Sequence, residues 1–178
     1  MGLLSSFDTN RDELNTGSGT GKLIVDLSAF IIGGSPIGKT PWEGDFFAQS
    51  LLQEGTFQLE DGGYELGSKE GILTSAFVTL AHFQGVFLIK DQITPLTAQT
   101  TREEILNLFG DPYWTDLDDE EVILFYEYRE GTLELQFEFS DGSHLDFITL
   151  MQNGILSNNK QRESYGITNP WPPEKNNR

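Results

Sequence analysis

Apolar positions along this chain recur with two different periods. Over 133–139 they alternate strictly, with Leu133, Leu135, Phe137 and Phe139 set against Glu134, Gln136, Glu138 and Ser140. That period of two predicts a strand with one dry and one wet face. The run before it, 122–128, is apolar at nearly every position, as in a strand covered on both sides. Asp141-Gly142 then turns the chain into a further strand over 144–151. Ahead of these strands the spacing is helical: Ile105, Leu108 and Phe109 share a face, Thr101 and Glu104 form a capping box, and Gly110 and Pro112 end the helix.

The first half carries a similar order. Residues 22–32 read as one β-rich run, ended by Gly33-Gly34-Ser35-Pro36. A helix over 41–53 is predicted next, with Thr40 as N-cap, Pro41 in the first turn, Glu43 completing the box, and Phe46, Phe47, Leu51 and Leu52 on its apolar side. Strands follow at about 56–59, 63–67, 72–82 and 85–90, separated by turn residues. The two halves match at a fixed interval. Thr40 and Thr100 open the helical runs, and the Glu-Gly turns end at Gly71 and Gly131, each pair 60 residues apart. The division expected is a leader over 1–21, repeat units over 22–90 and 91–151, and a polar Pro/Asn-rich tail over 152–178 whose Asn169–Pro173 stretch runs extended. The fold class is α+β: two tandem helix-plus-antiparallel-hairpin units, with helices packed on one side of an antiparallel sheet.

Composition narrows the function classes. The 178 residues carry 28 acidic against 11 basic side chains, a formal charge of −17. Such an excess repels phosphate backbones, so no nucleic-acid partner is expected, and it favours encounter with a basic protein. There is no cysteine, which removes thiol chemistry, disulfides and cysteine-ligated metals and suits a reducing, cytoplasmic setting. No apolar stretch is long enough to span a bilayer, so no membrane partner is expected. Met1-Gly2-Leu3-Leu4-Ser5-Ser6 fits the short myristoylation pattern, but Asp8, Asp12 and Glu13 stand where a basic second anchor belongs, and the match is read as chance.

Thr101-x-x-Glu104-Ile105-x-x-x-Phe109-Gly110-x-Pro112, followed by three hairpin-linked strands, resembles a repeat of the SmpA/BamE-like superfamily. The β-lactamase-inhibitor-protein-like members carry such units in tandem, and Ile37–Glu43 resembles the opening of the same repeat without its Gly-x-Pro ending. The resemblance covers roughly 22–151 and implies a protein that acts by binding other proteins. The chain lacks the lipoprotein cysteine, signal peptide and disulfides of those relatives, which points to an intracellular binder, with an immunity protein against a bacterial toxin as the leading instance.

Several motifs compete with that reading. Gly33-x-x-x-x-Gly38-Lys39-Thr40 satisfies the phosphate-loop formula, with Lys39 placed for β/γ-phosphate oxygens and Thr40 for magnesium. Pro36 removes one backbone donor from such a cradle, and a strand-rich remainder does not suit a doubly wound sheet. Nucleotide binding through Gly33, Gly38, Lys39 and Thr40 is therefore an alternative only, as is an acidic DNA mimic. His82 and His144 have no evident nucleophile or base partner and read as ordinary strand or turn residues. Asp116, Asp118, Asp119, Glu120 and Glu121 crowd a loop that lacks calcium-loop spacing. With Tyr113 and Trp114 beside them they form the expected protein-binding site, aromatic anchors next to a steering acidic rim. No catalytic residue, metal site or cofactor is expected. The function expected is a non-catalytic protein-binding module of inhibitor or immunity type, acting on a basic partner.

Overall fold

The computed structural model describes residues 22–40, 55–58 and 63–174. Twelve strands run in chain order among them: β1 Ile24–Asp26, β2 Ile31–Ile32, β3 Ser35–Pro36, β4 Gly55–Gln58, β5 Tyr64–Lys69, β6 Ile72–Thr79, β7 Val86–Ile89, β8 Gln92–Thr94, β9 Trp114–Asp118, β10 Glu121–Tyr128, β11 Leu133–Phe139 and β12 Phe147–Gln152. Helix α1, Arg102–Phe109, lies between β8 and β9; a 3-10 turn, Ile155–Ser157, and helix α2, Asn159–Ser164, follow β12. The helix expected over 41–53 lies outside the described residues.

Hairpin chemistry explains the pairing. Glu70 and Gly71, both at positive φ, make the two-residue turn from β5 to β6, and Arg129, Glu130 and Gly131 turn β10 into β11 in the same backbone region. These are the two Glu-Gly turns of the repeat. The meanders β4-β5-β6 and β9-β10-β11 lie on either side of β12, which pairs antiparallel with both β6 and β11. The result is one seven-stranded antiparallel sheet in the order β4-β5-β6-β12-β11-β10-β9. The fold is α+β, in keeping with tandem helix-and-hairpin units.

A second, five-stranded sheet, β3-β2-β1-β7-β8, corrects two expectations. Residues 22–32 are not one strand. The buried Asp26 carboxylate accepts hydrogen bonds from the Ser28 and Ala29 amides at 3.0 and 2.9 Å, and this Asx turn folds the run into the β1–β2 hairpin. The strand expected at 85–90 does not extend the first meander either. As β7 it pairs parallel with β1, Ile24 opposite Val86, while β6 already ends at Thr79.

Helix α1 forms where its sequence signals place it. The Thr101 hydroxyl accepts from the Glu104 amide, and the Glu104 carboxylate accepts from the Thr101 amide at 2.7 Å, bonds that also hold this carboxyl below its usual range. Such a cap contributes about 1 kcal/mol. Gly110, at positive φ, ends the helix with its amide on the Leu106 carbonyl. Ile105 is fully buried, and the Phe109 ring meets Tyr126 and Phe137 at 5.6 and 4.9 Å between centroids. Phe30 of the smaller sheet meets Tyr128 at 5.2 Å. The inner face of the seven-stranded sheet therefore packs on α1 and on the smaller sheet, in one core that includes Val25, Ile32, Leu66, Leu73, Leu124, Leu135, Phe137 and Ile148.

Candidate functional site

The outer face of the large sheet holds the side chains with functional potential. Strand registers place Asp116 and Asp118 of β9, Glu121, Ile123, Phe125 and Glu127 of β10, Glu134, Gln136 and Glu138 of β11, Phe147 and Thr149 of β12, and Phe77 and Thr79 of β6 on that one side. The face has a covered half and an open half.

The covered half lies under residues 154–171. Alternation along β11 predicts that Glu134 and Gln136 face water; both are buried, Glu134 completely. The reason is the tail, which folds back on them as the 3-10 turn and α2 instead of running free from the sheet. Glu134 accepts from the Ile155 and Leu156 amides at 3.1 and 3.0 Å and from the Gln136 amide nitrogen at 2.5 Å. Phe125 of the sheet and Leu156 of the tail are both fully buried yet stand outside the main core. Tyr165 lies 6.3 Å from Phe125, and Trp171 lies 5.8 Å from Tyr113. Arg162 stacks over Trp171 at 4.4 Å and donates to the Leu156 carbonyl at 2.5 Å.

Glu127 sits directly across from Glu134 in the β10–β11 register. Its two carboxylate oxygens are buried with no conventional donor. Burial first, then the facing Glu134 carboxyl, push its pKa up to about 10, with Arg162 opposing. Two ionised carboxylates have only acceptors to offer each other, so the pair is satisfied when Glu127 keeps its proton and donates to Glu134.

The open half begins at the far end of the same strands. Asp118, Asp119 and Glu120 are exposed at the β9–β10 turn, with Glu121 half-buried beside them. Glu138 is half-buried, and its pKa is raised by burial and by the neighbouring Glu121 and Asp146. Phe77 and Phe147, 38% and 36% exposed, lie on adjacent strands. Phe147 pairs with Thr79 and Phe77 with Thr149, so the two rings are diagonal neighbours on one face.

The structure thus divides the site expected at 113–121. The segment is not a loop: Trp114–Asp118 is strand β9, and Glu121 opens β10. Tyr113 and Trp114 lie at the covered end. The Tyr113 hydroxyl donates to the Asn169 and Pro170 carbonyls at 3.2 Å each, and the Trp114 ring nitrogen is buried. Asp116, Asp118, Asp119, Glu120 and Glu121 run away from them toward the open end. The carboxylates are brought together; Tyr113 belongs to the packing of the tail, and Trp114 pairs with Phe125 in the sheet.

Sequence reasoning missed Phe77 and Phe147. Counted from the Glu-Gly turns, Phe77 and Phe137 hold the same place, six residues after Gly71 and Gly131, yet Phe137 is fully buried. A β-bulge makes the difference. The β5–β6 register passes from Ser68 opposite Leu73 to Gly67 opposite Ser75, which leaves Thr74 as an extra residue. The extra residue reverses the faces, turning Ala76 and Val78 inward and Phe77 outward. A Cβ on Gly67 would run into the Ser75 hydroxyl, so the bulge is built for glycine there. The signal was present in the broken alternation of Leu73, Ala76 and Val78.

The phosphate-loop alternative does not survive the geometry. Gly33 and Gly34 form a tight turn between β2 and β3. The amides of Gly33, Ile37, Gly38 and Lys39 donate to the carbonyls of Ile24, Phe30, Leu73 and Pro36 at 2.7–3.3 Å. Those donors, which a phosphate cradle requires, are committed inside the fold. His144 bonds Asp141 at 2.9 Å in an exposed turn, which with the turn amides lowers the Asp141 pKa to about 2. Among the described residues, no group of three or more His, Cys, Asp or Glu is arranged to hold a metal ion, and no helix is long and apolar enough to cross a membrane.

No protein-family model matches this chain. No curated protein matches it either. Among solved structures, a DUF4309 family protein (YjgB) from Bacillus subtilis subsp. subtilis str. 168 is similar over 68% of this chain and 84% of that one, at 18% identity and a TM-score of 0.43. At that level no property of YjgB is carried over to this chain.

Proposed function

We propose that this chain is a non-catalytic protein-binding module, of inhibitor or immunity type, acting on a basic partner. One observation carries the reading. Five adjacent strands, β6, β12, β11, β10 and β9, contain no lysine or arginine, while they bring Asp116, Asp118, Glu121, Glu127, Glu134 and Glu138 to one face. Where the tail covers that face, Arg162 supplies a cation. Where it does not, the carboxylates of the β9–β10 turn and Glu138 have no lysine or arginine partner among the described residues. A surface of uncompensated like charge is destabilising by itself and becomes favourable against a cationic partner. The resemblance of the second unit to repeats that bind proteins points the same way.

The test is kinetic. The partner is captured from the source organism and identified, and its association is followed across a salt series with wild type and with Asp116, Asp118, Asp119, Glu120 and Glu121 changed to Asn or Gln. Association should slow by about tenfold or more in the variant and in high salt, with dissociation little changed. An association rate indifferent to both salt and substitution would refute the charge-steered reading. Turnover of a substrate by the purified chain would remove the non-catalytic one.

A further inference from the structure

The two halves of the outer face invite comparison, because the covered half displays an occupant. The tail buries an apolar residue, Leu156, lays Tyr165 near the Phe125 ring, gives backbone amides to Glu134, and brings the Arg162 guanidinium within electrostatic reach of Glu127. An aromatic floor, carboxylates on β10 and β11, and a cation from the incoming chain form one combination. The open half repeats the receiving side of it. Phe77 and Phe147 give an aromatic floor, and Glu138 stands on β11 four residues beyond Glu134, on the same face and directly across from Phe147. Here no segment among the described residues supplies the apolar anchor or the cation. The bulge at Thr74 brings Phe77 to this surface when the plain alternation of the repeat would have buried it, and bulges commonly re-aim a side chain toward a working surface.

We infer that the open half of this face, centred on Phe77 and Phe147, docks a basic segment of a partner protein. An apolar or aromatic anchor of the partner lies on the two phenylalanines, and an arginine or lysine meets Glu138. This rests on the reading of the chain as a protein binder and adds to it the contact surface and the partner's chemistry. Charge sets the choice of occupant. The surface is flanked by Glu121 and Glu138, which have no lysine or arginine partner among the described residues, so an acidic or purely apolar segment would leave half-buried carboxylates unmatched. The aromatic pair makes simple counter-ion attraction insufficient, since Phe77 and Phe147 gain only from a partner that buries them.

The probe is a short soluble peptide carrying phenylalanine and arginine, compared with its counterpart in which glutamate replaces arginine. Each is titrated into the full 15N-labelled chain. The arginine peptide should shift amides at Phe77, Phe147, Thr149 and Glu138. Phe77→Ser and Glu138→Gln should each weaken it about tenfold while the spectrum stays fully dispersed, and the glutamate peptide should shift nothing. Phe147→Ser provides a second aromatic variant should Phe77→Ser unfold. Shifts confined to 118–121 and unaffected by Phe77→Ser would overturn this surface but leave the charge-steered binding reading standing. Equal response to both peptides would overturn the cationic partner. Silence with both peptides in large excess would overturn the surface and leave the charge-steered reading to its own kinetic test.

Discussion

Glu127 shows what a single burial event does to a residue that looks ordinary in sequence. With its folded pKa raised to about 10, it keeps a proton that the unfolded chain releases near the usual value of 4.5. Where the folded state binds more protons than the unfolded one, stability falls as pH rises, so this group weakens the fold progressively from about pH 4.5 to 10. The decline is at most ~1.4 kcal/mol per pH unit. Glu127→Gln, which keeps a donor toward Glu134 without a titrating proton, should raise the melting temperature at pH 8–9. It should leave the value near pH 4 almost unchanged. Parallel melting curves for the two proteins at all pH values would show that Glu127 is solvated and ionised. Alternation along β11 made its inward residues legible, since Leu133, Leu135, Phe137 and Phe139 all reach the core. The burial of Glu134 was not legible, because its cover comes from Gly154, Ile155 and Leu156, some twenty residues downstream. Period-two reasoning assigns faces; it carries no information about what later chain lies on them.

At the level of elements, local signals were read well where they close short loops and poorly where contacts cross between units. The capping box of α1 and both Glu-Gly turns depend on residues within a few positions of one another. The parallel pairing of β7 with β1 joins residues about 62 positions apart, which no window of periodicity encloses. The Gly33–Thr40 segment illustrates the same boundary. Its glycine spacing satisfies a phosphate-loop formula, but those glycines serve a turn between two very short strands and a contact of Gly38 with the bulged strand at Leu73. Magnesium-ATP should therefore give no binding heat in calorimetry with wild type or with Lys39→Ala. Micromolar affinity lost in the mutant would show that the hairpin opens to form a cradle.

On the scale of the whole molecule, the seven-stranded sheet separates two environments. Its inner side is a conventional core between sheets and helix; its outer side is a mosaic of tail-covered and open surface. The candidate site follows from that division more than from any motif: the acidic run was visible in sequence, whereas the phenylalanine pair depended on one extra residue in β6. The same sheet ends at β9, which pairs with β10 and has no strand beyond it among the described residues. Its outward backbone groups are a template on which a second copy could add its own β9. Leu117, 68% exposed, would favour such an addition. Asp116 and Asp118 oppose it, since two β9 strands side by side would bring four carboxylates together. These aspartates thus act as guards against polymerisation, whatever else the acidic run does. Replacing both with asparagine should make light scattering grow more steeply with protein concentration than in the wild type at low salt, and a scattering profile identical to wild type would show that the edge is protected by some other means.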